Sequence, residues 1–115
     1  MHEYSIVASL VERVELELAA HPGAHATRLT VRIGEQSGVE PSLLRTAFET
    51  FRVRSACARA ELVLEPVPAS WRCARCELEL APDAPLRCPR CHRPAVLAAG
   101  DDLILERIEL EVPDV

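Results

Sequence analysis

The sequence predicts an α+β protein: two amphipathic helices packed on one face of a small sheet, with a metal-stapled module inserted before the last strand. Three observations carry this reading. Apolar residues recur at helical spacing over 4–20 and again over 43–51, they alternate at strand spacing over 27–34, 60–67 and 103–112, and two C-x2-C pairs stand between the last two of those strands. Two apolar stripes and one apolar sheet face bury each other in a layered arrangement.

Taken in order, residues 4–20 place Ile6, Val7, Leu10, Val11, Val14 and Leu18 on one helical face and leave Glu12, Arg13, Glu15 and Glu17 mainly for the others. Glu3 suits the positive end of the helix dipole, and His21-Pro22-Gly23 stops the helix. From Thr27 to Gly34, Leu29, Val31 and Ile33 alternate with Arg28, Thr30 and Arg32, the pattern of a half-buried strand. His21 and His25 read as helix end and loop. Gly34 to Gly38 is a turn, and Pro41 fits the first helical position, where its missing N–H would be unpaired anyway. Glu40 then falls at or beside the N-cap. Leu43, Leu44, Ala47, Phe48 and Phe51 form the second apolar face, which ends near Arg52 to Arg54, where cations suit a helix C-terminus.

Ala60 to Val67 is a second strand, with Leu62 and Leu64 facing one way and Pro66 and Pro68 ending it. Past the cysteines, Pro94 to Ala99 reads as a short strand, Gly100-Asp101-Asp102 as a turn and Leu103 to Val112 as a long strand. In that strand Ile108, Leu110 and Val112 alternate with Arg107, Glu109 and Glu111. The last strand is expected to join the first sheet, so the module is an insertion: residues 1–68 plus 101–115 make one domain and 69–100 the other.

The module is built on Cys73-Ala-Arg-Cys76 and Cys88-Pro-Arg-Cys91. Two residues between cysteines let a short turn aim both sulfurs at one point, and zinc accepts four thiolates in a tetrahedron at about 2.3 Å. Cys73, Cys76, Cys88 and Cys91 are therefore the zinc ligands of a structural ribbon. Two disulfides or four unlinked thiols are the alternative. Pro89 stiffens the second turn, and Arg75, Arg90 and Arg93 set positive charge near a four-thiolate centre of net charge about −2. Only Leu78, Leu80 and Leu86 lie between the knuckles, so the metal must supply this segment's stability.

With 115 residues there is room for one modest core plus the stapled module. No apolar run is long enough to span a membrane, and Met-His-Glu-Tyr is unlike the start of a signal peptide. A cytoplasmic location is expected, where reduced thiols favour metal over disulfide and Cys57 stays a free, half-buried hydrophobe. Net charge is −5, and all 13 basic residues are arginine. The field of the whole molecule thus repels phosphate backbones, although residues 71–94 hold five arginines against Glu77, Glu79 and Asp83. Trp71 is the only aromatic in the module, so stacking platforms for single strands are scarce. A zinc-ribbon nucleic-acid-binding or protein-interaction module is the alternative function. A C-x2-C redox enzyme is disfavoured, because two facing pairs, one of them containing Pro, have the pattern of metal ligands.

The chain's first residues offer a further metal site. The Met1 amine, the His2 amide nitrogen and the His2 imidazole can chelate one ion in a plane, which suits Ni(II) or Cu(II) rather than zinc. The amide of Glu3 can complete the plane. Met1 is expected to survive processing, because His is not a small residue.

Met1-His2-Glu3 before an amphipathic helix, then Ile33-Gly34-Glu35-x-Ser37-x-Val39-x-Pro41-x-x-Leu44, Ala47-Phe48-Glu49-Thr50-Phe51 and the two knuckles together resemble the HypA/HybF family across essentially the whole chain. The resemblance implies a nickel metallochaperone, not an enzyme, for [NiFe]-hydrogenase maturation and in some organisms urease. It implies work with a HypB-type GTPase, the hydrogenase large subunit or its maturation complex, and in some cases urease accessory proteins. It also implies two helices on a three-stranded sheet, transferred Ni(II) on Met1, His2 and Glu3, and structural Zn(II) on the four cysteines. Glu40, often Asp in the family, either reaches the nickel or caps the second helix. Arg54 and Arg59 stand where the family usually has glycine. Glu77 and His92 follow the knuckles, where some relatives carry two histidines, and His92 reads as a solvent-facing or supporting residue.

Overall fold

The computed structural model describes residues 2–113, without the side chain of His2. The elements in chain order are helix α1 (His2–Ala19), strand β1 (His25–Gly34), helix α2 (Pro41–Phe51), a 3-10 turn (Arg52–Arg54), and strands β2 (Glu61–Val67), β3 (Ser70–Arg72), β4 (Val96–Ala99) and β5 (Leu103–Glu111). They form a three-stranded sheet in the order β2-β1-β5 and a two-stranded sheet of β3 and β4. The expected architecture of two helices, a three-stranded sheet closed by the last strand and an inserted ribbon is present.

β1 and β5 run antiparallel: His25 Nε2 lies 3.5 Å from Glu111 at one end, and the Gly34 N–H donates to the Asp102 carbonyl at 2.8 Å near the other. β1 and β2 run parallel, with Arg28 beside Glu61 early in both and the Glu35 N–H donating to the Val67 carbonyl at 2.9 Å at their ends. A parallel pair needs a crossover, and α2 is that crossover. His25, read from the sequence as loop, is the first residue of β1.

The chain divides into two compact units. One comprises the chain up to Arg32, Val39–Glu65 and the chain from Ile104; the other comprises Ile33–Gly38 and Pro66–Leu103. In the first, α1 packs on α2. The core joins Val7, Leu10, Val11 and Val14 of α1 to Leu44, Ala47 and Phe48 of α2, with Leu29 and Val31 of β1 and Leu62 of β2 also buried. These α1 residues are the i, i+3, i+4, i+7 stripe of the sequence pattern. On α2 the buried stripe is narrower than the apolar one: Leu43 is 55% exposed and Phe51 41%. Leu43 lies about 100° around the helix from Leu44, and Phe51 lies on the stripe but in the last turn. Thr30, expected on the solvent side of β1, is only 7% exposed.

β2 is an edge strand, which explains why Pro66 can sit inside it rather than end it: at an edge its missing N–H removes no ladder bond. Arg45 and Arg52 reach from the α2 side to the carbonyls of Leu62 and Ala60, the first at 2.9 Å, occupying acceptors at the start of that strand. Arg28 forks between Glu61 of β2 and Glu109 of β5 at 3.5 and 3.4 Å. All three side chains are at least one-third exposed, so the fork aligns strands more than it stabilises them.

In the second unit the Gly34 turn meets Gly100. A Cβ on Gly34 would lie 2.2 Å from the Gly100 carbonyl oxygen, and one on Gly100, at φ +95°, would lie 2.6 Å from the Ala69 Cα. Backbone passes backbone here, and only glycine leaves room. The register between β3 and β4 pairs Trp71 with Leu97 and Arg72 with Val96. β3 has no counterpart among the strands expected from the sequence: three residues, beginning two after Pro68, give no measurable alternation.

Candidate metal centres

The two knuckles are copies of one hairpin, 15 residues apart. Arg72-Cys73-x-Arg75-Cys76 and Arg87-Cys88-x-Arg90-Cys91 share four of five residues. Each is closed by an isolated antiparallel bridge, Arg72 with Glu79 and Arg87 with Pro94. In the first, the Cys73 N–H donates to the Leu78 carbonyl at 2.9 Å and the Glu77 N–H to the Cys73 carbonyl at 2.8 Å; in the other, Cys88 donates to Arg93 and His92 to Cys88, both at 2.9 Å. The residue after each knuckle's closing cysteine must turn the chain back. Glu77 and His92 accordingly adopt φ of +54° and +63°, a left-handed conformation that non-glycine residues rarely take. Neither residue type announces that conformation, whereas the 15-residue repeat is a signal the sequence does carry.

The four sulfurs converge within 4.8 Å of one another, and Cys73 Sγ lies 3.5 Å from Cys91 Sγ. Four thiolates on one zinc at about 2.3 Å stand about 3.8 Å apart, so the cluster has the size of a tetrahedral zinc site. That separation is far longer than a disulfide bond of about 2.05 Å, and all five cysteines are unlinked. Cys73 and Cys88 are buried, whereas Cys76 and Cys91 are half-buried. The metal expected from the sequence therefore fits the residues present.

Backbone amides favour ionised sulfur. The Cys76 N–H points at Cys73 Sγ at 3.4 Å, and the Arg90 and Cys91 N–H groups point at Cys88 Sγ at 3.4 and 3.5 Å. The Cys76 amide brings the Cys73 thiol down to about 6 against the opposing effect of burial, and the Cys91 amide likewise lowers Cys88. Burial, followed by the neighbouring thiols, pushes Cys76 up to about 12. Four thiolates cannot share this volume without a cation, and Zn(II) supplies the charge that lets them.

His92 is exposed and is not among the converging ligands; its carbonyl accepts a hydrogen bond from Arg87. Of the nickel residues expected from the sequence, Met1 and the His2 side chain lie outside the described residues. Glu3 is in the first turn of α1, half-exposed. Glu40 occupies the N-cap position of α2, but its carboxylate accepts no backbone N–H there. It takes the Ser42 hydroxyl at 3.3 Å instead and is exposed. Among the described residues, the only metal-sized cluster of His, Cys, Asp and Glu side chains is the cysteine set.

Cys57 stands apart, in the loop between α2 and β2, and is fully rather than half buried. Burial, with Glu15 nearby, pushes its thiol up to about 11, so near neutral pH it is protonated and sterically shielded. Alkylation of zinc-stripped protein should label the four knuckle cysteines and leave Cys57 unmodified until a denaturant unfolds the chain. Mass spectrometry of the adducts checks this.

The family model described as "Hydrogenase/urease nickel incorporation, metallochaperone, hypA" matches residues 1–110. The hydrogenase maturation factor HypA of Wolinella succinogenes is 40% identical over 117 residues, covering 99% of this chain and 98% of that one. That of Shewanella baltica is 41% identical over 114 residues, with 96% and 97% covered. The solution structure of the Ni metallochaperone HypA from Helicobacter pylori superposes with a TM-score of 0.71 at 30% identity, covering 96% of this chain and 98% of that one. Another HypA solution structure gives 0.80 at 32%, covering 98% of each. No helix among the described residues is long and apolar enough to cross a membrane. The nucleic-acid-binding alternative gives way to these matches: the chain belongs to the HypA family, the nickel metallochaperones of hydrogenase maturation.

Proposed function

We propose that this chain takes up Ni(II) at its N-terminus through the Met1 amine, the His2 amide and imidazole, and the Glu3 amide, and passes it to a nickel enzyme under assembly. The observation that carries the reading is His2 at the head of an 18-residue helix. The first four N–H groups of an α-helix have no intrahelical acceptor, so a metal can displace the amide protons of His2 and Glu3 without breaking a helical bond. Each such nitrogen must lose its proton to bind, so affinity falls as pH falls and acid returns the ion. A planar nitrogen set suits Ni(II), and a site with few side-chain ligands at a helix end suits transfer better than a buried cage.

Glu40, uncommitted to capping, serves as a further oxygen ligand. Zinc stays on Cys73, Cys76, Cys88 and Cys91 as a structural ion, in an inserted domain spanning 69–100, while 1–68 and 101–115 form the nickel domain. The chain acts in the cytoplasm without catalysing a reaction of its own. Its partners are a HypB-type GTPase and the hydrogenase large subunit or its maturation complex, with urease accessory proteins where urease is present.

The test is complementation of cells lacking their own family member. At trace nickel the parent chain should restore hydrogenase activity and His2→Gln should not, while excess nickel in the medium should restore both. A variant as active as the parent at trace nickel would sink the delivery role of this site.

A further inference from the structure

We propose that a cleft in the zinc ribbon, lined by Arg75 and Arg93, docks a short acidic segment of a partner protein. The cleft holds about 470 Å³ and is lined by Cys73, Ala74, Arg75, Arg93 and Pro94. Its two arginines come from different knuckles, Arg75 from inside the first and Arg93 from just past the other, so folding of the ribbon around its metal is what brings them to one cleft. Ala74 and Pro94 give the cleft apolar surface against which the aliphatic part of a glutamate side chain can lie.

Both arginines are exposed, and among the described residues neither forms an ion pair. Arg13 pairs with Glu17, Arg28 with Glu61 and Glu109, and Arg52 with Glu49, so these three guanidinium groups are already committed to carboxylates of the chain itself. Screening of the thiolate charge is the plainer role for Arg75 and Arg93. Yet among the described residues no guanidinium donates to a cysteine sulfur, the N–H groups that do so being backbone amides. Five donors in a planar fork on each arginine remain for a carboxylate, which guanidinium binds bidentately.

A short carboxylate segment suits the surface better than a nucleic acid. A net charge of −5 repels a long polyanion, whereas a short one feels mainly the local excess of arginine over residues 71–94. No aromatic side chain lines the cleft, so bases have nothing to stack on. This docking needs only the folded ribbon and is independent of nickel.

The experiment is an NMR titration of zinc-loaded full-length chain with hexaglutamate peptide, following arginine Nε–H signals, beside a parallel titration with hexathymidylate. Hexaglutamate should shift the Arg75 and Arg93 signals and leave that of Arg45 in place, with affinity falling as salt rises. In Arg75→Gln/Arg93→Gln, checked for zinc content, affinity should drop about tenfold, the scale of losing two charge-assisted contacts. Shifts confined to other arginines, equal binding by the double variant, or tighter binding of hexathymidylate than of hexaglutamate would each overturn the proposal. The map on the parent chain decides the matter even if the variant folds poorly.

Discussion

Cys88→Ser should empty the zinc site and unfold the ribbon while leaving the helices of the first unit in place. Between the knuckles the only buried apolar side chain is Leu80, and Leu86 is 52% exposed. Burial of one leucine contributes about 2 kcal/mol, whereas a structural zinc supplies roughly 10–16 kcal/mol of apparent folding free energy in small zinc domains at neutral pH. The metal term is several times larger, and the strands it holds, three and four residues long, cannot persist alone. Cys88 is the ligand of choice because it is fully buried and its sulfur receives two backbone N–H groups, which serine's shorter side chain cannot reach in the same way. The measurement is zinc content by a colorimetric chelator together with amide NMR spectra. Amides of the ribbon should collapse to the random-coil region, while helical circular dichroism from α1 and α2 largely remains. A ribbon that keeps its dispersed amides without metal would contradict this source of its stability.

Acetylation of the Met1 amine should weaken nickel binding by at least about 100-fold, the upper end of what loss of a mere supporting partner costs a metal site. The modification leaves every side chain in place and removes only the amine as a donor. An acetylated nitrogen can no longer anchor the chelate that the His2 amide and imidazole complete. Competition against a chromophoric nickel chelator measures the loss, and zinc content should not change. The same assay on the parent chain carries a pH signature: the amides bind only after deprotonation, so affinity should fall steadily as pH is lowered. Unchanged affinity in the acetylated chain would place the nickel ligands elsewhere.

Much of this molecule is legible in its sequence because its stripes are clean. Val7, Leu10, Val11 and Val14 are buried as their period requires, Pro41 opens α2, and the last strand joins the first sheet. The four cysteines converge as their spacing implies, since short turns leave the sulfurs few directions. The hidden parts depend on contacts rather than on local pattern. β3 exists because β4 returns to pair with it, and no three-residue segment carries a period of its own. Leu43 is apolar yet exposed, for binary pattern cannot tell how much of a stripe the neighbouring elements will cover. Glu77 and His92 take left-handed backbone conformations that the knuckle imposes against their own preference. Glu40, expected to cap or to ligate, stands at the cap position with its carboxylate turned to Ser42.

Whether His2 holds the transferred ion is tested most directly by calorimetric titration of Ni(II) into zinc-loaded chain with a native, untagged N-terminus, run beside His2→Gln, which keeps Met1. Stoichiometric binding by the parent that is absent from the variant is the expected result. Matching curves for the two proteins would contradict it and make His2 an incidental residue of the first helical turn.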